Sequence, residues 1–241
     1  MSTMTESRFE ETPPKPEPQP WSDGPDPLRD LRPAREPVFN APWQAVAVVA
    51  LIVGGYWVQT LFPVDAVVEA YAFMPANLVP GRWETAITSI FLHGNWAHAL
   101  MNGAFALAFS APLARLFGPK VEGALLFFGF YVLAGVLANL GFAAAHPGGH
   151  EPVVGASGAV SGLMGAAARL IGGGGRPGPM FSRTVVGMGA AWIAINLLIA
   201  VFGGAILPGA GGAGVAWEAH IAGFVVGVLM IGPFARLAPR D

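Results

Sequence analysis

Gly155-Ala156-Ser157-Gly158-Ala159-Val160-Ser161-Gly162-Leu163-Met164-Gly165 places a serine at the head of an apolar helix. Further along, Ala216-Trp217-Glu218-Ala219-His220-Ile221-Ala222-Gly223-Phe224-Val225-Val226-Gly227 carries a histidine in a second apolar stretch. Ionisable groups inside apolar spans are costly, and the default expectation is a functional role with a nearby partner. Ser157 and His220 suit each other as nucleophile and base. The fold follows from what surrounds them.

The chain has 241 residues, of which 54% are hydrophobic and only 12% charged, with a mean hydropathy of +0.54. Soluble domains carry about 25% charged residues. Half that charge, together with repeated apolar runs of about 20 residues, predicts an all-α polytopic membrane protein. A net charge of -2 offers no basic surface for nucleic acid. With no cysteine, disulfides, thiolate metal sites and a cysteine nucleophile are all excluded.

Residues 1–42 hold ten of the 22 prolines, eight acidic and five basic residues. Such a segment buries too little apolar surface to offset its ordering entropy, so it reads as a disordered tail. It lacks the short apolar core of a signal peptide. The membrane domain is expected over 43–236, followed by a short tail, 237–241.

Six apolar windows fall near 43–62, 87–113, 121–144, 157–172, 184–206 and 215–235. The fourth rises only roughly 24 Å, short of a ~30 Å hydrocarbon core. Its start, at Ser157, is therefore expected below one membrane surface, with the preceding loop dipping in. Lysine and arginine set the orientation. Arg29, Arg32, Arg35, Arg115, Lys120, Arg169, Arg176, Arg183, Arg236 and Arg240 fall on one side of a six-span chain and Arg82 alone on the other. Both termini are then cytoplasmic, and Ser157 and His220 lie at similar depth from the outer surface. The outer connection, about 63–86, mixes Asp65, Glu69, Arg82 and Glu84 with Tyr71 and Trp83 and reads as an interfacial segment. The outer loops at 145–156 and 207–214 are rich in Gly and Pro.

Ser157, Ser161 and Gly165 share one face of span four. On span six, His220, Gly223 and Gly227 share a face, and Ala219, Gly223 and Gly227 form a small-residue stripe. Small residues let helix backbones approach closely in lipid. A serine needs such closeness, because its short side chain must come within ~3 Å of a histidine nitrogen. The other role open to Ser157 is a helix N-cap, which is compatible with the first. Its backbone N–H, at the positive end of the helix, suits an oxyanion. Span two adds His93, Asn95, His98 and Asn102. His98 and Asn102, one turn apart, serve either as oxyanion donors or as interhelical hydrogen-bonding groups.

Taken together, His98-x-x-x-Asn102, Gly155-x-Ser157-Gly158 and Ala219-His220-x-x-Gly223-x-x-x-Gly227 resemble the rhomboid family of intramembrane serine proteases, over about residues 43–236. The resemblance implies a rhomboid-like fold of six transmembrane helices, with Ser157 as nucleophile and His220 as general base. It also implies oxyanion donors at His98, Asn102 and the Ser157 backbone N–H. The implied substrates are transmembrane proteins in a bacterial-type plasma membrane, cleaved near the outer face without cofactor or metal. Where many relatives have a tyrosine packed on the catalytic histidine, this chain has Ser161. The family's Trp-Arg pair in the first outer loop is matched only loosely by Arg82-Trp83.

Other readings are weaker. His146 and His150, in His-Pro-Gly-Gly-His before Glu151, read as loop histidines rather than a metal site. No His-Glu-x-x-His supports zinc chemistry. Glu218 falls roughly opposite His220 and reads as interfacial. Asn139 and Asn196 read as helix–helix hydrogen-bonding residues. Gly172–Gly175 lacks a phosphate-loop ending and reads as a turn. A catalytically inactive rhomboid-like protein that binds membrane clients is the alternative function. A solute transporter would need an internal repeat, which the sequence does not display.

Overall fold

The computed structural model describes residues 40–206 and 215–239, without the side chains of 203–206. The helices belong to a unit spanning Ala41–Asp241. Most of the expected tail at 1–42, the outer loop at 207–214, and Arg240 lie outside the described residues.

The described chain is all helical, with no strand. Its elements are α1 (Trp43–Gln59), α2 (Val64–Tyr71), the single turn α3 (Thr85–Thr88), α4 (Trp96–Phe117), α5 (Val121–Ala145), α6 (Ser157–Gly172), α7 (Arg183–Ile206) and α8 (Trp217–Leu237). By length and composition, α4, α5, α7 (through Phe202) and α8 can each cross a membrane. Helix α1, at 17 residues, and α6, at 16, are shorter.

Span two departs from the expected 87–113. Residues 85–91 form α3 and a 3-10 turn, and α4 starts only at Trp96. The Asn95 side chain accepts from the His98 N–H at 2.8 Å and caps the helix there. Apolarity alone could not reveal that stop. Beyond the expected end, α4 runs through Pro112 to Phe117. His93 is thus in a turn, fully buried, and not on the helix that carries His98.

Helix α6 is the centre of the domain, with Gly158 through Leu170 all buried. Its glycines meet those of α8 backbone to backbone. A Cβ on Gly223 would fall on the Gly158 carbonyl, and one on Gly227 on the Gly162 carbonyl. Lipid supplies no hydrophobic drive between helices, so contact of this kind, with its dispersion gain, holds them together. Arg169, counted above among the flanking charges, is in fact only 8% exposed. Its Nε donates to the Gly178 carbonyl at 2.9 Å and its Nη1 to the Val228 carbonyl of α8 at 2.8 Å.

Buried amides fasten the remaining elements. At one end of α1, Gln44 donates to the Gly118 carbonyl at 2.8 Å. At the other, Gln59 bonds both backbone groups of His93, donating at 2.9 Å and accepting at 3.0 Å. Asn139 of α5 donates to the Ala86 carbonyl and Ser89 Oγ at 2.9 and 3.0 Å. An unpaired amide in an apolar interior costs far more than a paired one, so these contacts select one arrangement.

The segment between α1 and α4 folds back on itself. Helix α2 buries no residue, and Tyr71 and Trp83 are exposed, as interfacial aromatics would be. The Arg82 guanidinium donates to the Ala70 carbonyl and pairs with Glu84, while Thr88 Oγ1 donates to the Tyr71 carbonyl at 2.8 Å. An isolated bridge between Phe73 and Val153 ties this segment to the loop before Ser157.

The glycine contact gives a direct test. Gly227→Ala should lose about 1–3 kcal/mol through overpacking. Gly54→Ala, where a Cβ meets nothing within 4 Å, should be neutral or gain about 0.5–1 kcal/mol. Thermal melts of the purified variants in detergent measure both. Equal melting temperatures would show that α6 and α8 are not held by this contact.

Candidate active site

Ser157 is the first residue of α6 and His220 the fourth of α8. Backbone contact between the two helices leaves no room for a longer side chain to bridge them, nor any need of one. Ser157 Oγ lies 2.7 Å from His220 Nε2. The N-cap position belongs to Ala156, and no side chain caps the helix. The Ser157 hydroxyl is therefore turned to the histidine and does not cap α6. Ser161, one turn on, donates to the Ser157 carbonyl at 2.7 Å, so this hydroxyl supports the serine's backbone and not the histidine.

The turn into α6 requires glycine. Gly155 has φ +126, and a Cβ there would lie 2.7 Å from His98 Cε1 and 2.8 Å from His98 Nε2. The same point is 3.7 Å from Ser157 Oγ. The His98 ring therefore flanks the serine. Gly155 N–H donates to the Ser89 carbonyl at 2.9 Å, and Ala156 N–H points to His93 Nε2 at 3.4 Å. Both fix the backbone on which Ser157 sits. In the first turn of a helix the backbone N–H groups have no intrahelical acceptor, so the Ser157 N–H is of the right kind to meet an anion.

Asn102 lies one turn beyond His98 on α4, is 4% exposed, and donates Nδ2 to the His98 carbonyl at 3.1 Å. That bond stays within α4. His98 packs edge-on against the buried ring of His93, with centroids 5.2 Å apart.

The far side of His220 is held by α7. Asn196 Oδ1 is 2.6 Å from His220 Nδ1. The Trp192 ring lies 5.8 Å from the imidazole, centroid to centroid, at 35°. Trp192 and Asn196 thus supply contacts to His220 that Ser161, bonded to the Ser157 carbonyl, does not make. Asn196 does make a helix–helix bond, as its position in an apolar span suggests, and that bond lands on the candidate base. The sequence signal for this pair is their spacing of four on one face of α7, which nothing in the sequence ties to His220.

The other polar residues go elsewhere. Glu218 contacts His146 Nε2 at 3.0 Å, joining the end of α5 to the start of α8. It takes no part in holding His220. Among the described residues no group of three or more His, Asp or Glu is placed to hold a metal ion.

The rhomboid domain model matches residues 80–236, which include all three motifs and leave α1 and α2 outside the matched stretch. No curated protein compared with the chain matches it. The matched region covers well over half of the sequence and four of its helices can cross a bilayer, so this chain is a multi-pass membrane protein of the rhomboid family, whose members are generally intramembrane serine proteases.

Proposed function

We propose that this protein is an intramembrane serine endopeptidase that cleaves transmembrane proteins near the outer membrane face. The observation that carries the reading is the 2.7 Å approach of Ser157 Oγ to His220 Nε2, at the half-buried head of a helix that is buried from Gly158 to Leu170. Ser157 attacks the substrate carbonyl while His220 accepts its proton. The developing oxyanion is met by the Ser157 backbone N–H, His98 and the second amide hydrogen of Asn102. His220 then passes the proton to the leaving amine, and water hydrolyses the acyl-enzyme. The mechanism calls for no metal or cofactor.

In this reading, residues 43–236 form a six-span core made of α1 and α4 to α8. The short α6 spans with its head below the outer surface. The tails 1–42 and 237–241 are cytoplasmic, and the membrane is a bacterial-type plasma membrane. The bias of basic residues supports the orientation. Fusing reporters after Arg115 and after Arg176 should give a cytoplasmic signal, and a fusion at Gly148 an outer one. An outer signal at Arg176 would break the six-span topology.

An active-site-directed fluorophosphonate should label Ser157. Ser157→Ala and His220→Ala should each abolish cleavage of a transmembrane peptide panel almost completely. The double variant should be no worse, because groups acting as one unit are non-additive. Cleavage by purified Ser157→Ala protein would sink the mechanism. A folded wild-type protein with neither labelling nor cleavage would favour the inactive client-binding alternative.

Asn102→Ala tests the oxyanion site. Loss of one donor should lower kcat about 10²–10³-fold with little change in substrate affinity, since the ground-state carbonyl uses these donors weakly. An unchanged kcat in a well-folded variant would return Asn102 to a packing role within α4.

A further inference from the structure

We infer that Asn196 is the positioning residue of the site, an uncharged third member that fixes His220 in the tautomer able to accept a proton from Ser157. The inference rests on the Ser157–His220 reading above and adds to it a role for α7.

The amide orientation follows from its two contacts. Asn196 Nδ2 donates to the Trp192 carbonyl at 2.8 Å. A flipped amide would set its oxygen against that carbonyl oxygen, leaving both without a donor. The other end of the amide, Oδ1, is therefore the atom 2.6 Å from His220 Nδ1. An amide oxygen only accepts, so Nδ1 carries the hydrogen. In a neutral imidazole the lone pair is then on Nε2, and Nε2 is the atom facing Ser157 Oγ at 2.7 Å. The opposite tautomer would set a lone pair against Oδ1 and an N–H against the serine oxygen. Asn196 is 1% exposed, so water cannot replace it as an acceptor without opening the packing. As His220 takes the serine's proton, Nδ1–H becomes a donor from a cation, and its bond to Oδ1 strengthens. Trp192 limits tilting of the ring from one face.

The acceptor sits on the least buried of the four long spans. Only 11% of the apolar window of α7 is buried, against 39%, 44% and 33% for α4, α5 and α8. A competent His220 therefore requires α7 to be docked.

The test uses full-length protein in detergent or nanodiscs. Nitrogen-15 NMR of labelled histidines, with His220 assigned by its loss in His220→Gln, should show the neutral Nδ1–H form in wild type. Asn196→Ala should admit the Nε2–H form and slow fluorophosphonate labelling of Ser157 about 10–10²-fold, the size expected for losing one hydrogen bond to a group that becomes charged. The loss should fall on kcat and leave KM within about threefold. Asn196→Asp, which keeps the acceptor, should restore most of the rate. A merely structural Asn196 would move the melting temperature without changing the tautomer. An Nε2–H imidazole in wild type overturns the inference whether or not Asn196→Ala folds. So does a folded Asn196→Ala with wild-type labelling, or a folded Asn196→Asp as slow as alanine. Absence of labelling in wild type would instead defeat the protease reading, while the tautomer measurement would still decide the role of Asn196.

Discussion

The backbone contact between α6 and α8 is the constraint from which the rest of the domain follows. Gly158 and Gly162 on one helix meet Gly223 and Gly227 on the other with no side chain between them. At that separation a serine at the head of α6 reaches a histidine on α8 with its own short side chain. One added methyl would push the helices apart and take the hydroxyl out of reach of the imidazole. The same closeness buries α6 on nearly every face, so its polar residues must find partners inside the protein. Ser161 finds the Ser157 carbonyl and Arg169 the carbonyls of Gly178 and Val228.

Around this pair the structure spends amides rather than charges. Gln44, Gln59, Asn139 and Asn196 each reach from one element to another. An amide is cheaper to bury than an ion and more directional than a methyl. All but the Gln44 contact converge on the neighbourhood of Ser157: Gln59 holds the backbone of His93, whose ring faces the Ala156 N–H. Asn139 holds Ser89, whose carbonyl accepts from Gly155. Precise placement of a reacting group needs such support, because small misplacements are costly in rate.

The support of His220 comes from α7, while Ser161 of α6 bonds the Ser157 carbonyl. Trp192 and Asn196 face the imidazole from a helix whose outer surface is otherwise open. The arrangement couples the candidate base to the position of the least buried of the four long spans. Buried, directional contacts of this kind can make a site sensitive to motions distant from the reacting atoms.

Much of this was legible in the chain itself. Apolar runs located α1, α5, α7 and α8 within a few residues, and the 157–172 window coincides with α6, because apolarity and length are local properties. The motifs named Ser157 and His220, whose side chains lie 2.7 Å apart, and His98, whose ring lies against the Gly155 turn. Three things were not legible. The start of α4 depends on one side-chain cap, at Asn95, inside a continuous apolar stretch. The burial of Arg169 depends on carbonyls contributed by another helix. The partnership of Asn196 with His220 depends on the rotation and depth of α7 against α8. Periodicity assigns each residue to a face of its own helix. Which faces meet, and at what height, is decided only when the helices pack.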